Sequence, residues 1–233
     1  HIFTSLVVCL VLSLSAVAQV PLNVGVQILK AEDARDWNAG VEALLKSPNM
    51  AVRERAALAA GRIGDKRALA VLIDLIEKDD DAAEMAAFAI GEIESSEASD
   101  AIIRKINLYL DGKTVVNVEL LKNLVEAAGK VAAANPKVDS TKKLGELILK
   151  VLDSGKFDKV DLMPKTTPAN YNRSLNILAL TAIIRARPDG GDVVVAKFIN
   201  HDDARVRTDA LGTLTRLRSK QRLGDIRGLL RRD

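Results

Sequence analysis

A small residue recurs at one position of an apolar helical pattern, and this recurrence constrains the fold more than any other feature of the chain. Residues 56–63 read AALAAGRI and residues 86–93 read AAFAIGEI, so that Gly61 and Gly91 occupy the same position when the two segments are aligned. The segments 124–131, 176–183 and 210–217 repeat the pattern, and the five small positions are Gly61, Gly91, Gly129, Thr181 and Thr215. Self-similarity at this period predicts a stack of repeated units, in which small residues mark close helix crossings.

Each repeat is predicted to be a helical hairpin. In residues 51–81 the apolar residues follow the 3.6-residue spacing of a helix up to Gly64. Gly64 then breaks the pattern, and Asp65 is of the type that caps a following helix. The second helix buries an apolar stripe made of Leu69, Leu72, Ile73 and Ile76. The unit is therefore two helices joined by a tight turn.

The fold class that follows is all-α, a solenoid of about five stacked hairpins over residues 31–233. A leading helix over about 31–46 is expected to pack on the first hairpin, with residues 19–30 as a linker. The composition agrees, because aromatic residues are only 3% of the chain and a core of Ala, Leu, Ile and Val suits closely packed helices.

An insertion interrupts the period at residues 154–172, where Pro164 and Pro168 end any helix. Phe157, Met163 and Tyr171 are expected to be exposed there. The segment is interpreted as an insertion packed on its own repeat, and a binding loop is the alternative.

The first residues predict export. Residues 2–18 carry no charge, and the small residues Ala16 and Ala18 flank Val17 in the pattern that signal peptidase cleaves. Cleavage after Ala18 leaves Gln19 as the first residue and leaves no expected membrane span. The single cysteine, Cys9, lies in the removed segment, so no internal disulfide is possible. We expect a secreted or periplasmic protein.

No residue pattern predicts catalysis, a metal or a cofactor. The histidines are His1 and His201, and His201 precedes a helix in a turn where Asp202 and Asp203 are interpreted as caps. No Cys/His cluster has the spacing of a metal site, and no nucleophile turn or phosphate loop is present. Arg53 and Arg207 are interpreted as structural, pairing with acids or carbonyls of the loops between hairpins.

Charge along the chain is uneven although the total is nearly balanced. The 34 basic and 31 acidic residues give a net charge of +3, which provides no overall field for nucleic acid. Acids are concentrated in residues 77–100 and bases in residues 216–232. Solvated helix faces are the favoured interpretation, and a bipolar surface that orients a charged partner is the alternative.

These repeats resemble the HEAT-like repeat family. The similarity is strongest in Ala51–Asp81, where Val52-Arg53, Ala56-Ala57, Gly61 and Ile63-Gly64-Asp65 fall on the family pattern, and Val206-Arg207 restores it near the end. The resemblance implies a curved superhelix whose second helices line the concave face, where a protein or peptide is commonly held. The leader, AEDARDWN at residues 31–38 and the hairpins together also resemble the N-terminal region of secreted bacterial prolyl isomerases of the cyclophilin type. Phycobilin lyases share the repeat, but a secretory signal argues against them.

The function expected from these features is a non-catalytic scaffold that binds a protein or peptide outside the cytoplasm. The alternative is the partner-binding region of a prolyl isomerase whose catalytic domain follows residue 233, which the gene sequence beyond Asp233 would test. The expected binding residues are solvent-facing positions of the second helices, with Tyr109 as a candidate anchor or, equally, a residue packed on the next repeat. The candidates are Arg67, Asp74, Arg104, Lys105 and Tyr109.

Overall fold

The helical hairpins predicted from the sequence are present in the computed structural model, which describes residues 19–78, 81–159 and 168–229. Within these residues the secondary structure consists of α-helices and short 3-10 turns, without a β-strand, so the all-α solenoid is confirmed. The predicted export signal and Met163 lie outside the described residues, as does the side chain of Tyr171. The helices are α1 Leu22–Ala34, α2 Ala39–Leu44, α3 Met50–Ile63, α4 Leu69–Lys78, α5 Ala83–Ile93, α6 Ser99–Leu110, α7 Val118–Ala134, α8 Asp139–Asp153, α9 Pro168–Ala186, α10 Gly191–Ala196, α11 Ala204–Leu217 and α12 Leu223–Leu229.

Six hairpins, rather than five after a leading helix, are formed when the described helices are paired in chain order. The predicted leading helix over 31–46 is wrong, because Arg35 takes a left-handed conformation (φ 49°) that ends α1, and Asn38 caps α2. The predicted linker 19–30 is likewise helical from Leu22 onward, directly after Pro21. Proline is well suited to this position since its missing N–H is not needed at a helix start.

The turn inside each hairpin is built as the sequence predicts in the clearest repeat. Gly64 ends α3 in the left-handed region (φ 77°), and the Asp65 carboxylate accepts a hydrogen bond from the backbone N–H of Arg67. Ser95 makes the equivalent bond to the N–H of Glu97 after α5. These side chains satisfy helix-terminal N–H groups that would otherwise lack a partner.

The loops between hairpins are held by the two arginines that the sequence singles out. Arg53 donates from Nη1 to the carbonyls of Ser47 and Pro48, at 3.0 and 3.3 Å. Arg207 donates from Nη1 to the carbonyls of His201 and Asp202, at 2.7 and 2.9 Å. The structural role predicted for both arginines is confirmed.

The first helices of successive hairpins cross closely at glycines. A Cβ added to Gly61 would lie 2.9 Å from the Ala89 Cα, and one added to Gly91 would lie 3.1 Å from the Ala127 Cα. At Gly129 the added atom would lie 2.7 Å from the Ala182 Cβ. These three positions therefore confirm that the repeat glycines allow neighbouring helices to approach.

The small-residue prediction is wrong for Thr181, which is exposed and donates its hydroxyl to the Ile177 carbonyl of its own helix. In α3 the small residue Gly61 lies three positions before Gly64, the left-handed residue that ends the helix. In α9 that residue is Arg187 (φ 46°), so the equivalent small position is occupied by Ile184. Thr215 has the correct register, with Arg218 as the cap, but is exposed.

The part of the insertion that the structure describes packs on the solenoid. Phe157 lies in a 3-10 turn at Lys156–Lys159 and is only 6% exposed, as a member of the main apolar core. The predicted exposure of Phe157 is therefore wrong, since its ring finds apolar cover next to α9.

The two helical layers of the solenoid are spaced differently. The first helices (α1, α3, α5, α7, α9 and α11) approach one another through alanine and glycine. The second helices make sparse contacts with one another, and long charged side chains bridge them. A bilayer stack bends towards its more closely spaced layer. We therefore call the layer of first helices the inner layer and the layer of second helices the outer layer; that the second helices line the concave face stays a prediction.

Candidate partner-binding surfaces

Arg67, the first of the expected binding residues, lies in the turn before α4. Its guanidinium contacts the Asp65 carboxylate at 2.6 Å and donates to the Trp37 carbonyl at 3.0 Å. The pKa of Asp65 is lowered, first by this side-chain hydrogen bond and then by its backbone bond from the Arg67 N–H. Arg67 therefore joins two neighbouring hairpins through their turns.

Asp74 faces solvent on α4, as expected. It forms an ion pair with Lys78 one helical turn later and lines a shallow groove of about 670 Å³ between α2 and α4, with Lys46 and Arg53. The Lys78 pKa is raised, first by the side-chain hydrogen bond that its ammonium donates to Asp74. Such exposed pairs on a helix contribute little to stability.

Arg104 and Lys105 lie on α6. Arg104 is exposed and contacts Glu77 of α4 at 2.6 Å, which links two second helices across the layer. Lys105 is half-buried. Asp74 and Arg104 belong to the same outer layer, but Arg67 lies at its turn edge, so the expected residues do not converge on one site.

Tyr109 is a core residue and not an exposed anchor. It is 4% exposed and belongs to the main apolar cluster. Its position on α6, three residues after the fully buried Ile106, explains this, because positions three apart share a helix face. The alternative interpretation, in which the ring packs within the stack, is the correct one.

A row of charged side chains runs along the first-helix layer, one residue after each small position. We call it the charged row, and it consists of Arg62, Glu92, Lys130, Arg185 and Arg216. Each member lies on a different helix of the inner layer, so the row crosses the repeats. The sequence contains the signal for this row, since the residue after each correctly placed small residue is charged.

Ion pairs tie the middle of the charged row together. The Lys130 ammonium contacts Glu92 at 2.5 Å and Glu126 at 2.8 Å, and it lies 5.3 Å from the centre of the Phe88 ring. Burial acts to lower the Lys130 pKa, but the hydrogen bonds that Lys130 donates to Glu126 and Glu92 outweigh this effect and the pKa is raised. Lys130 is thus held as a cation with a side chain only 13% exposed.

Towards its C-terminal end, the charged row forms fewer ion pairs. Arg185 approaches Glu126 only to 3.9 Å and keeps 40% of its side chain exposed. Arg216 is exposed, and in the described part of the chain no carboxylate is within ion-pair distance of it. The inner layer therefore presents unneutralised positive charge on α9 and α11.

The acidic stretch 77–100 is neutralised by neighbouring repeats. Several of its acids pair with cations from other hairpins: Glu77 with Arg104, Asp81 with Arg53, Glu92 with Lys130 and Glu97 with Lys66. This supports the interpretation of solvated faces for the acidic end. The basic end differs, as Arg218, Lys220 and Arg227 have no such ion pair among the described residues.

The remaining predicted features are structural. Asp203 caps α11 by accepting from the N–H groups of Arg205 and Val206, as expected. His201 accepts from the Asp203 N–H through Nδ1, and its ring stacks on Phe198 with centroids 5.9 Å apart. Within the described ranges, no three His, Cys, Asp or Glu side chains are grouped to hold a metal ion. No helix in that same part of the chain is both long and apolar enough to cross a membrane.

Comparison with known proteins agrees with this architecture. Residues 26–91 match the family model described as HEAT repeats. No curated protein matches the chain. Among solved structures, a designed armadillo repeat protein in complex with the peptide (KR)4 is 18% identical, with 82% of this chain and 85% of that chain covered and a TM-score of 0.50. An engineered protein from a structural genomics programme is 21% identical over 87% of this chain and 86% of its own, with a TM-score of 0.45.

Proposed function

We propose that this protein is a non-catalytic scaffold that binds a protein or peptide along the inner layer of its solenoid, outside the cytoplasm. The observation that carries the proposal is the charged row, which offers one side chain per repeat on five successive first helices. A surface of this kind is long and open. It suits an extended partner better than a small substrate, which needs an enclosed pocket.

The solenoid fold supports a protein or peptide as the partner class. Stacked repeats each contact only their neighbours and together create an extended surface. The designed armadillo repeat protein that shares this fold is bound to a peptide, (KR)4. For this chain, exposed Arg185 and Arg216 favour a partner of the opposite charge on the last repeats.

Site-specific photo-crosslinking tests which layer is used. A benzophenone amino acid replaces exposed Thr181 on the inner layer, or exposed Arg104 on the outer layer as the matched control. In the cells that produce the protein, we expect a discrete protein adduct from position 181 and none from position 104. Adducts from position 104 alone would contradict the assignment of the inner layer.

Export is the second part of the proposal. It is supported by the uncharged apolar residues 2–18, which end in Ala-Val-Ala. Cleavage after Ala18 would leave α1 intact, because that helix begins at Leu22. N-terminal sequencing of the exported protein should begin at Gln19, and a full-length protein kept in the cytoplasm would contradict it. The resemblance to prolyl isomerases stays a prediction.

A further inference from the structure

Two adjoining cavities form a groove along the turn edge of the last hairpins. One, of about 520 Å³, lies between the α7–α8 and α9–α10 hairpins, and the other, of about 490 Å³, lies between α9–α10 and α11–α12. They share the turn residues Arg187, Pro188 and Asp189. We call this surface the turn groove.

Cations outnumber acids in the turn groove. Five basic side chains line it, against three carboxylates, and the basic residues are Lys142, Arg185, Arg187, Arg218 and Lys220. Among the carboxylates, Asp192 accepts a hydrogen bond from the Ser219 hydroxyl at 2.6 Å and forms an ion pair with Arg222 at 3.6 Å. Lys142 and Arg185 contact Asp139 and Glu126 outside the groove, at 3.0 and 3.9 Å. The excess of positive charge therefore rests on Arg187, Arg218 and Lys220, against the exposed Glu146 and Asp189.

Arg187 and Arg218 have no carboxylate within ion-pair distance among the described residues. The Arg187 guanidinium donates to the Arg216 carbonyl at 3.3 Å, at the end of the helix that Arg218 terminates. A helix C-terminus attracts cations, and an anionic ligand would pair with both guanidinium groups there.

The backbone at both arginines is in a region that favours glycine. Arg187 and Arg218 have φ values of 46° and 57°, whereas Gly64 occupies the equivalent position in the second hairpin. A non-glycine residue in this conformation strains the backbone. Arg35 and Glu94 carry the same strain at the ends of α1 and α5, so it is the position of Arg187 and Arg218 in the turn groove that assigns them a role in binding.

Geometry sets the spacing of a ligand that could use both residues. Arg187 and Arg218 end α9 and α11, which pack side by side in the inner layer. Packed helices lie about 8–10 Å apart, and a peptide in the polyproline II conformation has three residues per turn and advances about 3.1 Å per residue. Its side chains three residues apart therefore lie on one side and match the spacing of the two caps.

The geometry points to the turn groove as a binding site for an acidic peptide segment in the polyproline II conformation, whose carboxylates three residues apart pair with Arg187 and Arg218. Guanidinium groups suit this role, because they bind carboxylates with two parallel hydrogen bonds. The inference rests on the proposed function and names both a partner chemistry and a second surface.

Fluorescence anisotropy with defined peptides tests the inference on the full chain. The probe is a labelled dodecapeptide of glycine and serine with glutamate at every third position. We expect it to bind more tightly than a peptide of equal composition with contiguous glutamates, and to weaken as salt rises. The version with glutamine at those positions should not bind.

The decisive variant is Arg187→Gly with Arg218→Gly. It removes both side chains and relaxes both turns, so we expect at least tenfold weaker peptide binding together with a higher melting temperature. Arg35→Gly is the matched control, since Arg35 also has a positive φ of 49° but lies at the opposite end of the solenoid. It should raise the melting temperature and leave peptide binding unchanged.

Three results would overturn the inference: unchanged binding by the double glycine variant, equal binding of the contiguous peptide, or displacement of the probe by single-stranded DNA of equal charge at equal concentration. The last result would identify a general polyanion site. If none of these peptides binds while crosslinks still form from position 181, the assignment of the turn groove as a peptide site is wrong and the proposed function stands. If the crosslinks are absent and the spaced peptide binds, the inner layer is wrong and the groove stands.

Discussion

The first-helix layer changes character between its N-terminal and C-terminal halves. In α3, α5 and α7 the small position is glycine in close contact with alanine of the next helix, and the charges of Glu92 and Lys130 are paired. In α9 and α11 the same position is Ile184 and Thr215, and Arg216 is exposed. Close packing and neutralised charge therefore occur together in α3 to α7, whereas the looser half of the layer retains exposed charge, which the proposed function assigns to binding. The difference suggests that stability and recognition are divided between the two halves.

The largest expected effect comes from the same substitution made in each half. Gly129→Ala introduces a Cβ only 2.7 Å from the Ala182 Cβ, and we expect the free energy of unfolding to fall by about 2–3 kcal/mol. Gly212→Ala on α11 meets nothing within 4 Å and should raise it by about 0.5–1 kcal/mol. Urea denaturation followed by circular dichroism measures both. Changes of the same sign would mean that the halves are packed alike.

The loop arginines Arg53 and Arg207 test whether the two halves depend equally on the same kind of hydrogen bond. Arg53→Ala and Arg207→Ala each remove hydrogen bonds from a charged donor to two loop carbonyls, so each should cost about 2 kcal/mol of unfolding free energy. The corresponding lysine variants keep the charge without the planar fork and should recover only part of the loss. A cost confined to Arg53 would show that the last hairpin does not depend on this bond.

In the N-terminal half, a pH dependence of stability is expected from Glu32. The pKa of Glu32 is lowered below its usual 4.5, first by the hydrogen bond from Arg55 and against the effect of burial. Its contribution is therefore complete above pH 4.5 and is lost as the pH falls through the lowered value. Glu32→Gln should cost about 1–2 kcal/mol at pH 7 and much less at pH 3.

The matched control for that titration is Asp209→Asn on α11. Its partner Arg205 is 67% exposed, and the contact spans one helical turn, so little stability is expected from it. Urea denaturation of both variants between pH 7 and pH 3 separates the two cases. A cost for Glu32→Gln that stays constant over this range would contradict the assigned pKa direction.

The smallest expected effect concerns the turns that end the first helices. Glu94 has a φ of 56° where Gly64 has a φ of 77°, so exchanging the residue types should move stability in opposite directions. We expect Glu94→Gly to raise, and Gly64→Glu to lower, the free energy of unfolding by about 1 kcal/mol. Thermal melting checks this. A fall on Glu94→Gly would mean that the Glu94 side chain makes a compensating contact.

Sequence periodicity predicted the regular half of the molecule well. Gly61, Gly91 and the Asp65 cap are read directly from local residue type, because glycine and capping residues have specific backbone roles. The register of α9 was missed since Ile184 occupies the small position and the nearby Thr181 resembles one. The first hairpin was missed because Arg35, unlike glycine, carries no sign of a left-handed turn.

The binding residues were harder to predict than the fold. Exposure on a helix was inferred from a single apolar stripe, and Tyr109 shows the weakness of that approach: helices of a solenoid are buried on more than one side. The inner layer depends on the relative spacing of two layers, which no local pattern encodes.

The ion pairs between hairpins have a consequence for how such a chain can change by duplication or loss of repeats. Glu92 of α5 pairs with Lys130 of α7, so the third hairpin supplies the charge that its successor requires. Removing the α5–α6 hairpin would place Arg62 beside Lys130, two like charges at one crossing. These hairpins are therefore similar in shape but not interchangeable in order, and electrostatics restricts which repeats can become neighbours.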